Sequence, residues 1–169
     1  MSAQRIRFLV LDCDGVLTDS KITYTEDGRE IKSFNIKDGH GIKLLMRAGI
    51  GVAVITGRFS KALEHRAKDL LIEHVIQGAK DKRAALLDFS QKVGVEPSEM
   101  AYMGDDVVDL PAMALCAMSI APGDAVEMVK ERSDVITSLA GGHGAVREAA
   151  EIILKHLGLF DSVMERYVG

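Results

Sequence analysis

Cysteine is scarce: the 169-residue chain has two, Cys13 at the end of an apolar strand pattern and Cys116 in an alanine-rich segment. They make no C-x-x-C pair and no Cys/His spacing. That excludes a zinc finger and a disulfide framework, and reads both as buried thiols. An excess of basic charge is also lacking. With 21 Lys and Arg against 25 Asp and Glu the net charge is −4, and the cations are scattered rather than massed as in a nucleic-acid binder. No apolar run approaches the roughly 20 residues that span a bilayer. The opening Met1-Ser2-Ala3-Gln4-Arg5 leads into a strand pattern without the charged, apolar and small regions of a leader. The expectation is a cytoplasmic protein without nucleic-acid or membrane partners.

What is present is an ordinary globular composition, 47% hydrophobic and 27% charged. The length suits one compact α/β domain over residues 1–169, large enough to fold without a staple or a structural metal. Residues 6–13 are apolar apart from Arg7 and Asp12, with the β-branched and aromatic content of a buried parallel strand. Further strands are predicted at 51–56, 74–77, 100–104 and 117–121. Helical patterns lie between and after them. Leu86, Phe89 and Val93 recur at helical spacing in 81–93, as do Val146, Ala149, Ala150, Ile153 and Leu157 in 143–157. Such alternation predicts a doubly wound parallel sheet. One segment, 21–35, breaks it: two β-prone runs flank an Asp27-Gly28 turn, a hairpin signal. A lone hairpin is marginal in water, so this one is expected to pack on the body or on another subunit.

Four features fall at strand ends or at an adjoining helix start. Asp12-Cys13-Asp14-Gly15-Val16 puts two carboxylates where the first strand stops, in the crevice in which such sheets bind ligands. Val54-Ile55-Thr56-Gly57-Arg58 offers a hydroxyl and backbone donors to an anion. Lys82 sits where a helix begins, a poor place for a cation unless an anion balances it; Lys80 competes on spacing. Tyr102-Met103-Gly104-Asp105-Asp106-Val107-Val108-Asp109 gathers three carboxylates that repel one another unless a cation or donors hold them. Hard oxygen ligands from two strand ends suit Mg²⁺. Each string alone has a plainer explanation, as a turn, a solvated lysine or an acidic helix start; their order is what carries weight.

In that order the chain resembles the haloacid dehalogenase superfamily of phosphotransferases over almost its full length. Within it, the run Asp12 to Asp19, the hairpin, Phe34-Asn35-Ile36-Lys37-Asp38-Gly39, and Gly141-Gly142-His143-Gly144-Ala145-Val146-Arg147-Glu148 resemble the 3-deoxy-D-manno-octulosonate 8-phosphate phosphatases, enzymes of a lipopolysaccharide precursor pathway. The resemblance implies that Asp12 attacks phosphorus and that Asp14 protonates the leaving oxygen. It also implies that Thr56 and Lys82 hold the phosphoryl group. Mg²⁺ would be bound by the Asp12 and Asp105 carboxylates and the Asp14 main-chain carbonyl, with Asp106 and Asp109 as outer partners. By analogy the sugar acid would be read by Arg58, Arg66 and a loop of Asn35, Ile36, Lys37, Asp38 and Gly39 from the same or an adjacent subunit, with Asp14 and Lys82 also touching substrate. His143 departs from the basic residue the resemblance leads one to expect in that glycine-rich loop. The stretches from Asp14 to Thr56 and from Lys82 to Asp105 leave no room for a cap domain. The resemblance implies a homotetramer, in which a neighbour's hairpin and tail (158–169) could close such an uncapped site. The tail itself reads as a docking segment or short partner helix. Rival readings are the same chemistry on a 9-phosphorylated nonulosonate, a non-catalytic oligomerisation or regulatory module, and a receiver-type domain switched by phosphorylation.

Overall fold

The computed structural model describes residues 5–168. Met1–Gln4, where a leader was sought, and Gly169 at the end of the tail lie outside the described residues. The strands are β1 (Phe8–Leu11), β2 (Thr23–Tyr24), β3 (Glu30–Ile31), β4 (Gly51–Ile55), β5 (His74–Ile76), β6 (Met100–Met103), β7 (Met118–Ala121) and β8 (Val135–Ile136). The helices are α1 (Ile36–Arg47), α2 (Lys61–Leu70), α3 (Lys82–Val93), α4 (Leu110–Met113), α5 (Glu127–Lys130), α6 (Ala145–His156) and α7 (Phe160–Val168). Six strands form one parallel sheet in the order β5-β4-β1-β6-β7-β8, the doubly wound arrangement the alternation predicts. β8 was not foreseen; two residues are too few to show a period.

Successive side chains of a strand point to opposite faces, and the two cores follow that rule. Leu9, Leu11, Val52, Val54, Ala101, Met103 and Ile120 face the cluster under α1, α2 and α6. Val10, Ala53, Ile55, Met100, Tyr102 and Ala121 face the cluster under α3, α4 and α5. Burial on both faces explains why the strands read as continuous apolar runs. α1 and α6 pack closely because Gly41 lies against the backbone of Arg147, where a Cβ would come within 2.9 Å of its Cα.

β1 lies between β4 and β6. The chain leaves β1 toward β4 and β5, then returns to β6 on its other side. That reversal opens a crevice beyond the strands' C-terminal ends. Leu11 pairs with Val54 and Met103, so the residues after these strands meet there.

The hairpin is a two-stranded antiparallel sheet, Tyr24 opposite Glu30, closed around Asp27-Gly28 with Gly28 at φ +80°. Glycine takes that left-handed conformation at little cost. The tail forms α7, which docks on its own chain: Val163 is buried in the first core, and Tyr167 is hydrogen-bonded by the Arg47 guanidinium of α1. No helix is long and apolar enough to cross a membrane among the described residues.

Candidate active site

Beyond β1, β4 and β6 lies a cleft of about 300 Å³ lined by Asp12, Asp14, Ser20, Ile22, Thr56, Gly57, Arg58, Lys82, Asp105, Asp106 and Val108. A larger groove of about 490 Å³ runs along β5 and α3, but it holds none of the paired carboxylates.

The cleft is built from strand ends. The backbone N–H of Asp12 donates to Met103 O at 3.0 Å, which carries the β1–β6 pairing up to the first carboxylate. The chain then turns sharply: the N–H groups of Leu17 and Thr18 bond Cys13 O at 2.9 and 3.1 Å. Gly15 sits in that turn at φ +88°, and a Cβ there would come within 2.0 Å of Asp105 Oδ2. Only glycine therefore lets the β6 loop bring Asp105 against the β1 loop. Gly104 plays the same part for Asp109, whose Cβ would lie 2.4 Å from an added methyl.

Lys82 begins α3 behind its N-cap Asp81, which accepts from Ala84 N at 3.0 Å. The expected balancing anion is there twice: its ammonium, on a residue 5% exposed, is 2.8 Å from Asp12 Oδ2 and 2.6 Å from Asp109 Oδ1. Lys80 is exposed and does not line the cleft. Asp109 is fully buried and its oxygens are occupied. Tyr102 Oη donates to Oδ1 at 3.1 Å, and the N–H groups of Asp105 and Asp106 donate to Oδ2 at 3.3 and 3.4 Å.

Asp12, Asp105 and Asp109 can each bring an oxygen within 4.8 Å of the others. Since Asp109 is saturated by donors, a cation would fall to Asp12 and Asp105. The electrostatics agree. Burial, then the neighbouring Asp109 charge, raises Asp12 to about 6 against the Lys82 contact. Burial, then the charges of Asp12 and Asp109, raises Asp105 to about 7. One ammonium does not neutralise three carboxylates, two of them buried and Asp105 partly so, and hard oxygens in surplus suit a divalent ion. The fit is good.

Thr56 is buried and accepts a long 3.5 Å bond from Arg58 N. Asp14 faces the cleft mouth, where the Lys32 ammonium bonds its carboxylate. Arg58 lines the same mouth, bonded to Glu30. Lys32 and Glu30 were missed in the sequence, although their spacing puts both on one face of an extended run.

Residues 35–39, expected to reach the sugar acid in the same or an adjacent subunit, are the cap and first turn of α1 and do not line the cleft of their own chain. Asn35 Oδ1 accepts from Lys37 N at 2.8 Å as the N-cap. Asp38, 2% exposed, accepts from Arg147 N at 2.9 Å and Gly144 N at 3.3 Å, so it caps α6 from the side. Ile36 and Lys37 are exposed. Gly39 is covered by Arg66, whose guanidinium donates to Asn35 O at 3.1 Å. The glycine-rich run folds against the loop that follows β1: Gly142 N donates to Val16 O at 3.0 Å, and a Cβ on Gly141 would lie 1.9 Å from Gly15 O.

An open parallel sheet with this constellation defines a phosphate-handling hydrolase, and comparison with known proteins agrees. Residues 38–116 match the family described as haloacid dehalogenase-like hydrolase. The chain is 42% identical over 159 residues to the 3-deoxy-D-manno-octulosonate 8-phosphate phosphatase KdsC of Escherichia coli strain K12, covering 94% of this chain and 85% of that relative. The Moraxella catarrhalis 3-deoxy-D-manno-octulosonate 8-phosphate phosphatase, solved with magnesium, phosphate and KDO, matches with a TM-score of 0.94 at 42% identity, covering 98% of this chain and 95% of that one. The cobalt-bound deoxy-D-mannose-octulosonate 8-phosphate phosphatase of Haemophilus influenzae matches with a TM-score of 0.90 at 44% identity, covering 95% and 94%. The chain belongs to the haloacid dehalogenase-like hydrolases, and it is a phosphatase.

Proposed function

We propose that the protein is a magnesium-dependent phosphatase that releases 3-deoxy-D-manno-octulosonate and phosphate from the 8-phosphate ester through an aspartyl-phosphate. The observation that carries this reading is the meeting of Asp12, Lys82 and Asp105 at the ends of β1, α3 and β6, in a chain 42% identical to a phosphatase of that substrate.

A phosphate monoester is a dianion, so an attacking carboxylate must be oriented and the charge on phosphorus neutralised. Lys82 holds Asp12 by Oδ2 at 2.8 Å, and Cys13 N donates to its Oδ1 at 2.7 Å, which fixes the rotamer before substrate arrives. An Asp12 oxygen attacks phosphorus in line as the bond to the sugar oxygen breaks. Asp14 gives that oxygen its proton, then takes one from the water that attacks the phosphoenzyme, freeing Asp12 and inorganic phosphate. Thr56 and Lys82 hold the transferring group. Asp12 and Asp105, with the Asp14 main-chain carbonyl, would hold Mg²⁺, which supplies positive charge to the phosphoryl oxygens. That carbonyl accepts no hydrogen bond among the described residues, which leaves it free to do so. Asp109, saturated by Tyr102, Lys82 and backbone donors, orients Lys82 rather than the ion. Cytoplasmic localisation and a homotetramer whose subunits close one another's clefts complete the proposal.

A panel of phosphorylated sugars and sugar acids, assayed with added magnesium, tests the assignment. Preferred hydrolysis of the 3-deoxy-octulosonate ester is the expected result; preference for a 9-phosphorylated nonulosonate would move the substrate but keep the chemistry.

A further inference from the structure

The base of the hairpin carries a ladder of alternating charges that touches both catalytic loops. The Lys32 ammonium, on a side chain 2% exposed, bonds Asp14 and lies 3.4 Å from Glu30 Oε1. Glu30 Oε2 accepts from the Arg58 guanidinium. The order across the mouth is Arg58, Glu30, Lys32, Asp14, and the two outer members line the cleft beside Thr56 and Lys82. Glu30 Oε1 is buried without a hydrogen-bond partner, because the 3.4 Å approach of Lys32 is not aligned for one. An unsatisfied buried carboxylate oxygen is costly. Apolar residues would suit the fold at least as well at such an ion pair, so stability gives no reason for the ladder. Position does: Glu30 and Lys32 share one side of the extended chain, turned to the cleft, while Ile31 between them is half exposed.

We propose that Glu30 and Lys32 are positioning residues through which the hairpin reads the leaving group. Glu30 holds Arg58 at the mouth, where its guanidinium meets an anionic, hydroxylated leaving group. Lys32 fixes the Asp14 carboxyl beside the oxygen that departs. A long guanidinium held in place beforehand loses less freedom on binding, which favours esters with a carboxylate to offer. This inference rests on the phosphatase reading of the same site.

Glu30→Gln and Lys32→Met, checked for unchanged thermal midpoints, are assayed on 3-deoxy-D-manno-octulosonate 8-phosphate and on p-nitrophenyl phosphate, whose leaving group has neither carboxylate nor sugar hydroxyls. In Glu30→Gln, kcat/KM for the sugar-acid ester falls about tenfold or more, carried by KM, while p-nitrophenyl phosphate stays within about twofold. In Lys32→Met, kcat falls further for the sugar ester than for the aryl ester, whose good leaving group needs little help from an acid. Equal losses on both esters mark a structural role and overturn the proposal, and unchanged kinetics overturn it too. A wild-type enzyme with no preference for sugar-acid over aryl ester defeats the substrate reading. That preference retained in both variants defeats the ladder alone.

Discussion

At the inner end of the cleft Asp12, Lys82, Asp109 and Tyr102 are buried and bonded to one another, on or after β1 and β6 and at the start of α3. At the mouth, Asp14 and Arg58 are 25% and 38% exposed and are held by two residues of a hairpin outside that sheet. In the proposed function, the inner end handles a group common to every phosphomonoester, and rigid strand ends suit a fixed geometry. The outer end must fit whatever carries the phosphate, and a separate hairpin can vary without disturbing the sheet. In the proposed mechanism, attack on phosphorus thus rests on the sheet, while leaving-group recognition and the Asp14 proton transfer rest partly on the hairpin, and the two ends should respond differently to mutation.

The largest effect is expected from Asp12→Asn, which removes the proposed nucleophile. It should lower hydrolysis of sugar and aryl phosphates alike by about a thousandfold or more, with circular dichroism unchanged; near-normal turnover would dismiss Asp12. Chelation should act on both esters as well: EDTA silences the enzyme and Mg²⁺ restores it, and indifference to chelation would refute the metal assignment. Lys82→Ala leaves Asp12 and Asp109 without their shared cation. It should slow turnover of both esters and destabilise the metal-free protein by about 3 kcal/mol, read by denaturant unfolding. A smaller effect concerns pH. Asp12 and Asp105 hold protons up to about 6 and about 7, against an ordinary value of 3.8. Between 3.8 and those values the folded state binds more protons than the unfolded chain, so metal-free stability falls as pH rises through that window. A divalent ion replaces those protons, so Mg²⁺ should raise the melting midpoint more at about pH 8 than at about pH 5. The same rise at both would contradict the charge surplus. The smallest expected change is that of Lys80→Ala, an exposed residue outside the cleft; kinetics within about twofold of wild type are predicted.

Much of the inner end was legible in the sequence because each member follows a buried strand or begins a helix, and those patterns are local. Asp12 near the end of the 6–13 run, Thr56 at the end of 51–56 and Asp105 after 100–104 could be placed by counting along apolar stretches. The lysine too gave a local sign, since a cation on the first turn of a helix needs an anion, and the structure supplies two. The segment 35–39 was not legible in the same way. Asn35 and Asp38 look like a polar loop, but Asn35 is a helix cap and Asp38 is consumed by the amides of α6, far along the chain. A side chain that caps a helix from a remote segment leaves no local mark in one dimension.

Residue order by itself determined the alternation of strands and helices, the hairpin turn at Asp27-Gly28, and which strand ends carry carboxylates, because periodicity and turn chemistry act over a few neighbours. Only the tertiary structure decided that Asp109 steadies Lys82, that Lys32 rather than solvent meets Asp14, and that Arg66 covers Gly39. Those outcomes depend on which side chains from remote segments arrive at one point, and on how the charges gathered there are shared among the few donors within reach.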